Sequence, residues 1–201
     1  MKEKILEKAT ELFLIHGFKS VTMDDLANEM GISKKTIYTN YENKTQLVQE
    51  VSLELFCFIS KGIDTIIAFE LNPIEELYEI KKFVMHQLKD EKSSPQYQLQ
   101  KYYPNIYNSL KKQQFEIMGD CVISNIKKGI EQGIYRANLN IDFVFRIYFS
   151  GVTSIKDKQL FPENILPMTV LMDNYLEYHL RGIVTPEGRK ILNQIINSNL
   201  E

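Results

Sequence analysis

Residues 22–47, TMDDLANEMGISKKTIYTNYENKTQL, hold in close succession a helix start, a helix stop and two further helix starts. Thr22 has a hydroxyl that accepts from an unpaired first-turn amide, and Asp25 three residues on completes a capping-box pattern. Leu26, Ala27 and Met30 then supply a small apolar face, and Gly31 stands where a helix ends in a left-handed residue. The helix so bounded is about two turns long. Ser33 caps the next one. On its wheel Ile37 and Tyr41 fall on one side, while Lys34, Lys35, Tyr38 and Thr39 spread over the other. Such a short helix exposes ammonium groups, a phenol and a hydroxyl together, a set able to donate to phosphates and to base edges in a major groove.

Asn43 and Gln46 repeat the capping pattern and start a third helix with Lys44 in its first turn. The positive end of the helix dipole disfavours a cation there by roughly 0.3–1 kcal/mol. An anion held jointly by the helix amides and Lys44 removes the conflict, and a DNA phosphate is the expected one. Upstream, Ile5, Ala9, Leu12, Phe13 and His16 recur at helical spacing, and Gly17-Phe18 closes that helix.

Taken together, the capping Thr22, Asp25-Leu26-Ala27, Gly31-Ile32-Ser33, Thr36-Ile37-Tyr38, Tyr41, Lys44 and Leu47 resemble the signature of TetR-family transcriptional repressors. The resemblance implies an all-α fold of about nine to ten helices. A helix-turn-helix DNA-binding domain would occupy residues 1–47, and a helical ligand-binding and dimerisation domain residues 48–201. It also implies that Thr22, Ser33, Lys34, Lys35, Thr36, Tyr38, Thr39, Asn40 and Lys44 meet DNA. Two positions depart from the family: Lys35 stands where a small residue is usual, and Asn40 where a histidine or tyrosine is common. Both lie on or beside the reading surface, so no operator sequence is inherited from a relative.

Charge narrows how such a head would work. Residues 1–50 hold seven lysines, no arginine and eight acids, and the whole chain is formally −2. The bulk basic footprint of a nucleic-acid binder is absent. All four arginines (Arg136, Arg146, Arg181, Arg189) lie far downstream, so bidentate arginine–guanine readout is not open to this head. Contacts fall to Lys34, Lys35 and Lys44, with Lys2 and Lys4 as auxiliaries, and salt-sensitive binding is expected.

The chain has 201 residues, 44% of them apolar, with nine glycines and six prolines, enough for a real core and poor in strand-and-turn punctuation. Cys57 and Cys121 form no CxxC pair, which fits a reduced cytoplasmic compartment and carries no disulfide or metal signal. No apolar run approaches the roughly 18 residues of a membrane span, and the charged N-terminus lacks a signal peptide's apolar core.

Punctuation divides the rest into long helices: Lys44 to about Phe69, ended by Asn72-Pro73; Ile74 to about Glu91, ended by Lys92-Ser93-Ser94-Pro95; Gln96 to Tyr103; and about Ile106 to Gly133. The last carries a stripe of Phe115, Met118, Gly119, Val122, Ile126 and Ile130, with Ile117 and Cys121 elsewhere, as in a central buried helix. Residues 141–156 have two apolar faces, Ile141, Phe145, Tyr148 and Val152 against Phe143, Ile147 and Gly151, and so need partners on both. Residues 165–183 carry a wide stripe from Ile165 through Met168, Leu171, Met172, Tyr175, Leu176 and His179 to Ile183.

The resemblance assigns these two segments to a four-helix bundle across a two-fold axis. Phe145, Tyr148, Val152, Met168, Leu171, Met172, Tyr175 and His179 are its expected homodimer interface. A dimer presents two reading helices to the half-sites of a palindromic operator on double-stranded DNA. The family likeness also implies an effector cavity among the middle helices, with Tyr78, Lys81, Met85, Tyr102, Tyr103, Tyr107, Phe115, Met118 and Phe149 as its candidates. Lys81, in the apolar stripe of its helix, either snorkels outward or forms the cationic end of a pocket for an amphipathic acid.

Catalysis is not expected. His16, His86 and His179 share no metal-ligand spacing, there is no phosphate-cradling glycine loop, and no serine or cysteine sits in a nucleophile context. His16 and His179 lie on apolar faces, as core histidines do. No cofactor or metal is expected. The reading is a ligand-responsive repressor released by a small hydrophobic or amphipathic effector. The alternative is a DNA-binding protein of the same fold with a structural, nucleoid role and no inducer.

Overall fold

A computed structural model describes residues 1–87, 95–157, 159–162, 164 and 166–198. Its ten helices are α1 (Lys2–His16), α2 (Met23–Met30), α3 (Lys34–Asn40), α4 (Lys44–Ile67), α5 (Pro73–Gln87), α6 (Pro95–Tyr102), α7 (Pro104–Glu131), α8 (Ile141–Ser154), α9 (Met168–Arg181) and α10 (Pro186–Ser198). The fold is all-α, as expected. The end expected for α5 near Glu91, the Lys92-Ser93-Ser94 stretch and Ile165 lie outside the described residues.

The chain divides into two compact units, residues 1–61 with 87–113, and residues 62–86 with 114–201. The division does not fall at residue 47. In the first unit Leu99 and Ile106 are buried in the core that α1 to α4 build, and Tyr103, Tyr107 and Leu110 pack against it. Ile5, Ala9, Leu12 and Phe13 from α1 meet Leu26, Ala27, Ile37, Tyr41, Leu47, Val48 and Val51 in that core. Each large apolar side chain so buried contributes about 1.5–3 kcal/mol.

Gly17 ends α1 at φ 89°, a conformation that suits glycine, with its amide donating to the Phe13 carbonyl at 2.8 Å. The Gln98 side chain of α6 occupies the space a Cβ would take there, and its Oε1 accepts from the Lys19 amide at 2.9 Å. Glycine is thus required both by its dihedral and by close approach.

In the second unit Ile74, Leu77 and Tyr78 of α5, Val122 and Ile126 of α7, Val144, Phe145 and Phe149 of α8, and Leu176 and Leu180 of α9 share one core with Leu192 of α10. Phe115 packs 4.9 Å from Phe145 and edge-on to Phe149 at 5.0 Å. A buried polar group crosses this core. Glu76 accepts from Asn125 at 2.7 Å and from Lys128 at 3.2 Å, and Asn125 in turn accepts from Tyr135 at 3.2 Å. Paired in this way, a carboxylate only 4% exposed keeps its hydrogen bonds.

The segments Gly133–Arg136 and Ile183–Pro186 meet. The Arg136 amide donates to Ile183 and the Thr185 amide to Ile134, both at 2.9 Å, closing an isolated antiparallel bridge between Tyr135 and Val184. Thr185 then accepts from the Gly188 amide at 3.1 Å and starts α10 with Pro186 in its first position.

The stripe of α7 faces the core as expected, but Ile117 is exposed, so this helix is not buried all round.

Candidate nucleic-acid interface

The first unit builds its candidate DNA surface from three capped helix starts, at Thr22, Ser33 and Asn43, whose Oδ1 accepts from the Gln46 amide at 2.9 Å. The Asp25 amide donates to the Thr22 hydroxyl at 3.1 Å, and the Thr22 amide returns a bond to the Asp25 carboxylate at 2.8 Å, a complete capping box. Those bonds hold the Asp25 carboxyl below its ordinary pKa, the Thr22 amide being the largest cause. Gly31 ends α2 in the left-handed region at φ 62°. Ser33 then accepts from the Thr36 amide at 3.1 Å and starts α3.

Two residues fix α3 to the core. Ile37 is fully buried, and Tyr41 is buried with its hydroxyl donating to the Lys2 carbonyl at 3.3 Å. Burial pushes the Tyr41 phenol up to about 12. With that face held, Ser33, Lys34, Lys35, Tyr38 and Thr39 are exposed, and Thr36 and Asn40 half-buried. Thr39 donates back to the Lys35 carbonyl at 2.9 Å and Asn40 to the Thr36 carbonyl at 2.8 Å, which leaves their oxygens as acceptors.

Two of the expected DNA-facing lysines are engaged within the unit. The Lys34 ammonium lies 2.7 Å from Asp24, which raises its pKa. Lys44 donates to the Lys19 carbonyl at 3.0 Å and lies 5.9 Å from the Phe13 ring centre. That internal carbonyl answers the dipole conflict at the start of α4, where an anion was expected. Burial lowers the Lys44 pKa, and Asp25 opposes it. Asp24 and the Lys19 carbonyl left no periodic or motif signal, because both are tertiary neighbours.

The histidines differ from each other. His16 is exposed, against expectation, because its position is the last of α1 and the core lies along the preceding turns. His179 is buried between Tyr148, at 5.1 Å, and Tyr175, at 6.0 Å, and burial lowers its pKa to about 4.

Of the expected dimer residues, Phe145, Leu171, Met172 and His179 are buried inside the second unit, Tyr148, Val152 and Tyr175 are half-buried there, and Met168 is exposed. The apolar side chains that α8 leaves open are Phe143, 61% exposed, and Ile147, 48% exposed; α9 leaves Tyr178 open at 79%. The Phe145 face of α8 packs inside the second unit, because α7 supplies Phe115 against it.

The expected effector residues do not gather in one place. Tyr103 and Tyr107 pack on the core of the first unit, and Tyr102 is exposed. Tyr78, Phe115, Met118 and Phe149 belong to the larger core of the second unit, and Met85 packs on a smaller cluster with Leu171 and Met172. Lys81 pairs with Asp173 and lies 5.1 Å from the Tyr78 ring centre, so its charge is already answered. A cleft of about 250 Å³ in the same unit is lined by Ile67, Glu76, Asp120, Cys121, Ser124, Asn125 and Lys128. Among the described residues no group of three or more histidine, cysteine or acidic side chains is placed to hold a metal, and no helix is long and apolar enough to cross a membrane.

Residues 5–51 match the family described as bacterial regulatory proteins, tetR family. Over its length the chain is 22% identical to the HTH-type transcriptional repressor KstR2 of Mycolicibacterium smegmatis, covering 94% of this chain and 93% of that one. Its fold is similar to that of Thermus thermophilus FadR, a TetR-family transcriptional repressor solved in complex with lauroyl-CoA, with a TM-score of 0.61 and 20% identity over 92% of this chain and 96% of that one. It is also similar to SmeT, the repressor of the Stenotrophomonas maltophilia multidrug efflux pump SmeDEF, with a TM-score of 0.71 and 13% identity over 92% of this chain and 91% of that one.

A capped helix-turn-helix head followed by a larger helical body is the architecture the chain shares with these regulators. Within that architecture, residues 5–51 place the head in the TetR family.

Proposed function

We propose that this chain is a ligand-responsive transcriptional repressor that binds a palindromic operator as a homodimer and is released by a small hydrophobic or amphipathic effector. The observation that carries this reading is α3, capped by Ser33, anchored through Ile37 and Tyr41, and open at Lys35, Tyr38 and Thr39. Base contacts come from Lys35, Tyr38, Thr36 and Thr39. Backbone contacts come from Thr22, Ser33, Asn40 and, once released from their internal partners, Lys34 and Lys44. The dimer forms through the open face of α8 and α9 at Phe143, Ile147 and Tyr178. The effector site lies in the second unit around Phe115, Met118, Phe149 and Tyr78, whose rings and thioether suit an apolar body. A ligand that binds better to the DNA-incompetent state shifts the population off the operator.

The test is DNA binding by the full chain and by a Lys35→Ala/Tyr38→Ala variant, using duplexes selected from a random pool. The expected result is one palindromic motif, bound at least tenfold more weakly by the variant at unchanged thermal stability. Retained binding by the variant overturns the assignment of the reading helix. Binding without sequence preference overturns the repressor reading in favour of a structural DNA-binding role.

A further inference from the structure

Three lysines of the head have a carboxylate close by: Lys2 lies 2.8 Å from Glu50, Lys8 2.9 Å from Glu11 and Lys34 2.7 Å from Asp24. Lys19 and Lys101 differ. Lys19 lies 4.4 Å from the Tyr102 ring centre and Lys101 5.5 Å from the same ring. Lys101 also donates to the Tyr97 hydroxyl at 3.2 Å. Among the described residues neither ammonium forms an ion pair with a carboxylate. Two like charges therefore share one exposed phenol ring. The phenol registers them: desolvation raises the Tyr102 pKa, yet the two lysines outweigh it and the net shift is downward.

The patch is held in place. The loop carrying Lys19 is fastened to α6 through Gln98, which fills the space beside Gly17 and accepts from the Lys19 amide. On its other side the Lys19 carbonyl accepts from Lys44 at the start of α4. Three cations are thus arrayed from the first turn of α4 across the loop that leads into α2 and onto α6. Repulsion among them is relieved by an anion, and a polyanion relieves it at several points at once. Continuity with Lys44 and with the Thr22 cap, which the proposed reading places on the duplex backbone, selects the anion.

We propose that Lys19 and Lys101, set on either side of the Tyr102 ring, form an auxiliary phosphate-binding patch that extends the grip of the head on duplex DNA beyond the helix-turn-helix. The patch rests on the proposed DNA-binding function. It supplies charge that an arginine-free, slightly acidic head otherwise lacks, and it carries no sequence information.

The experiment uses the full chain, a random-sequence duplex of about 40 base pairs and fluorescence anisotropy across about 50–200 mM salt. A Lys19→Gln/Lys101→Gln variant is expected to bind roughly tenfold more weakly, with the slope of log affinity against log salt reduced by about 0.9 for each phosphate no longer neutralised. Lys19→Arg/Lys101→Arg is expected to restore both. Acetylation footprinting of the unmodified protein is expected to show Lys19 and Lys101 protected by the duplex, a readout that needs no variant to fold. Unchanged affinity and slope in the glutamine variant, or equal acetylation with and without DNA, overturns the patch while leaving the reading helix intact. An unmodified chain that binds no duplex at all overturns the patch together with the function on which it rests.

Discussion

The ammonium of Lys34 lies 2.7 Å from the Oδ2 of Asp24, so the first cation of α3 is held by the helix that precedes it. A phosphate that recruits Lys34 has to draw it from that partner. Replacing Asp24 by Asn removes both the competitor and a negative charge from the reading surface. Asp24→Asn is expected to bind duplex DNA several-fold more tightly at low salt, with the gain fading as salt rises. Titrations at two salt concentrations check this.

Gly17 is the position where the head tolerates change least. Gly17→Ala places a Cβ at φ 89° and against the Gln98 side chain. A loss of about 1–3 kcal/mol is expected, read as a lower urea midpoint. Gln98→Ala in the same background is expected to recover part of it, because only the crowding is then relieved.

The proposed dimerisation through the open face of α8 and α9 makes a separate prediction. Phe143→Glu places a charge on that face and is expected to give a monomer by sedimentation at unchanged helix content. Operator affinity then falls, because one reading head contacts one half-site. Phe145→Glu, in the protomer's own core, is expected to unfold the second unit instead.

The local parts of this architecture are legible in the sequence and the tertiary parts are not. The caps at Thr22, Ser33 and Asn43 and the stop at Gly31 are written within four residues of where they act, so spacing alone locates them. Ile37 and Tyr41 follow from helical period. The period of 141–156 shows two apolar faces, but the choice between them is made by Phe115 on another helix. Likewise, Lys81 finds its counter-ion in Asp173, a residue distant in sequence. Thr185 with Pro186 behind it is a local signal for the start of α10, of the kind that capping chemistry shows and apolar periodicity does not.

Asn125 joins Glu76, Tyr135 and the Pro73 carbonyl, to which it donates at 2.9 Å. Asn125→Ala leaves a buried carboxylate and a buried hydroxyl each short of a partner. A loss of about 3 kcal/mol is expected in chemical denaturation, most of it from the groups left behind. Pairing it with Glu76→Gln is expected to recover part of the loss, since the remaining group carries no charge.

His179 gives the second unit a pH dependence of known sign. Its folded-state pKa of about 4 lies below the ordinary value of 6.5, so the buried ring is favoured neutral. Its contribution is full above about pH 6.5 and is lost as pH falls toward 4, roughly 3 kcal/mol across that window. His179→Phe keeps a ring between Tyr148 and Tyr175 and is expected to flatten the fall in stability between pH 6.5 and 4, as urea melts would show.

The bridge between Tyr135 and Val184 bears on the order in which a growing chain acquires its parts. Everything the first unit packs has been synthesised once Gln113 is made, while the second still lacks Val184, Thr185 and Leu192. Since domains fold as units during synthesis, the first unit is complete while the larger core still waits for its final helix. Loss of α10 would therefore leave an intact reading head attached to an open body.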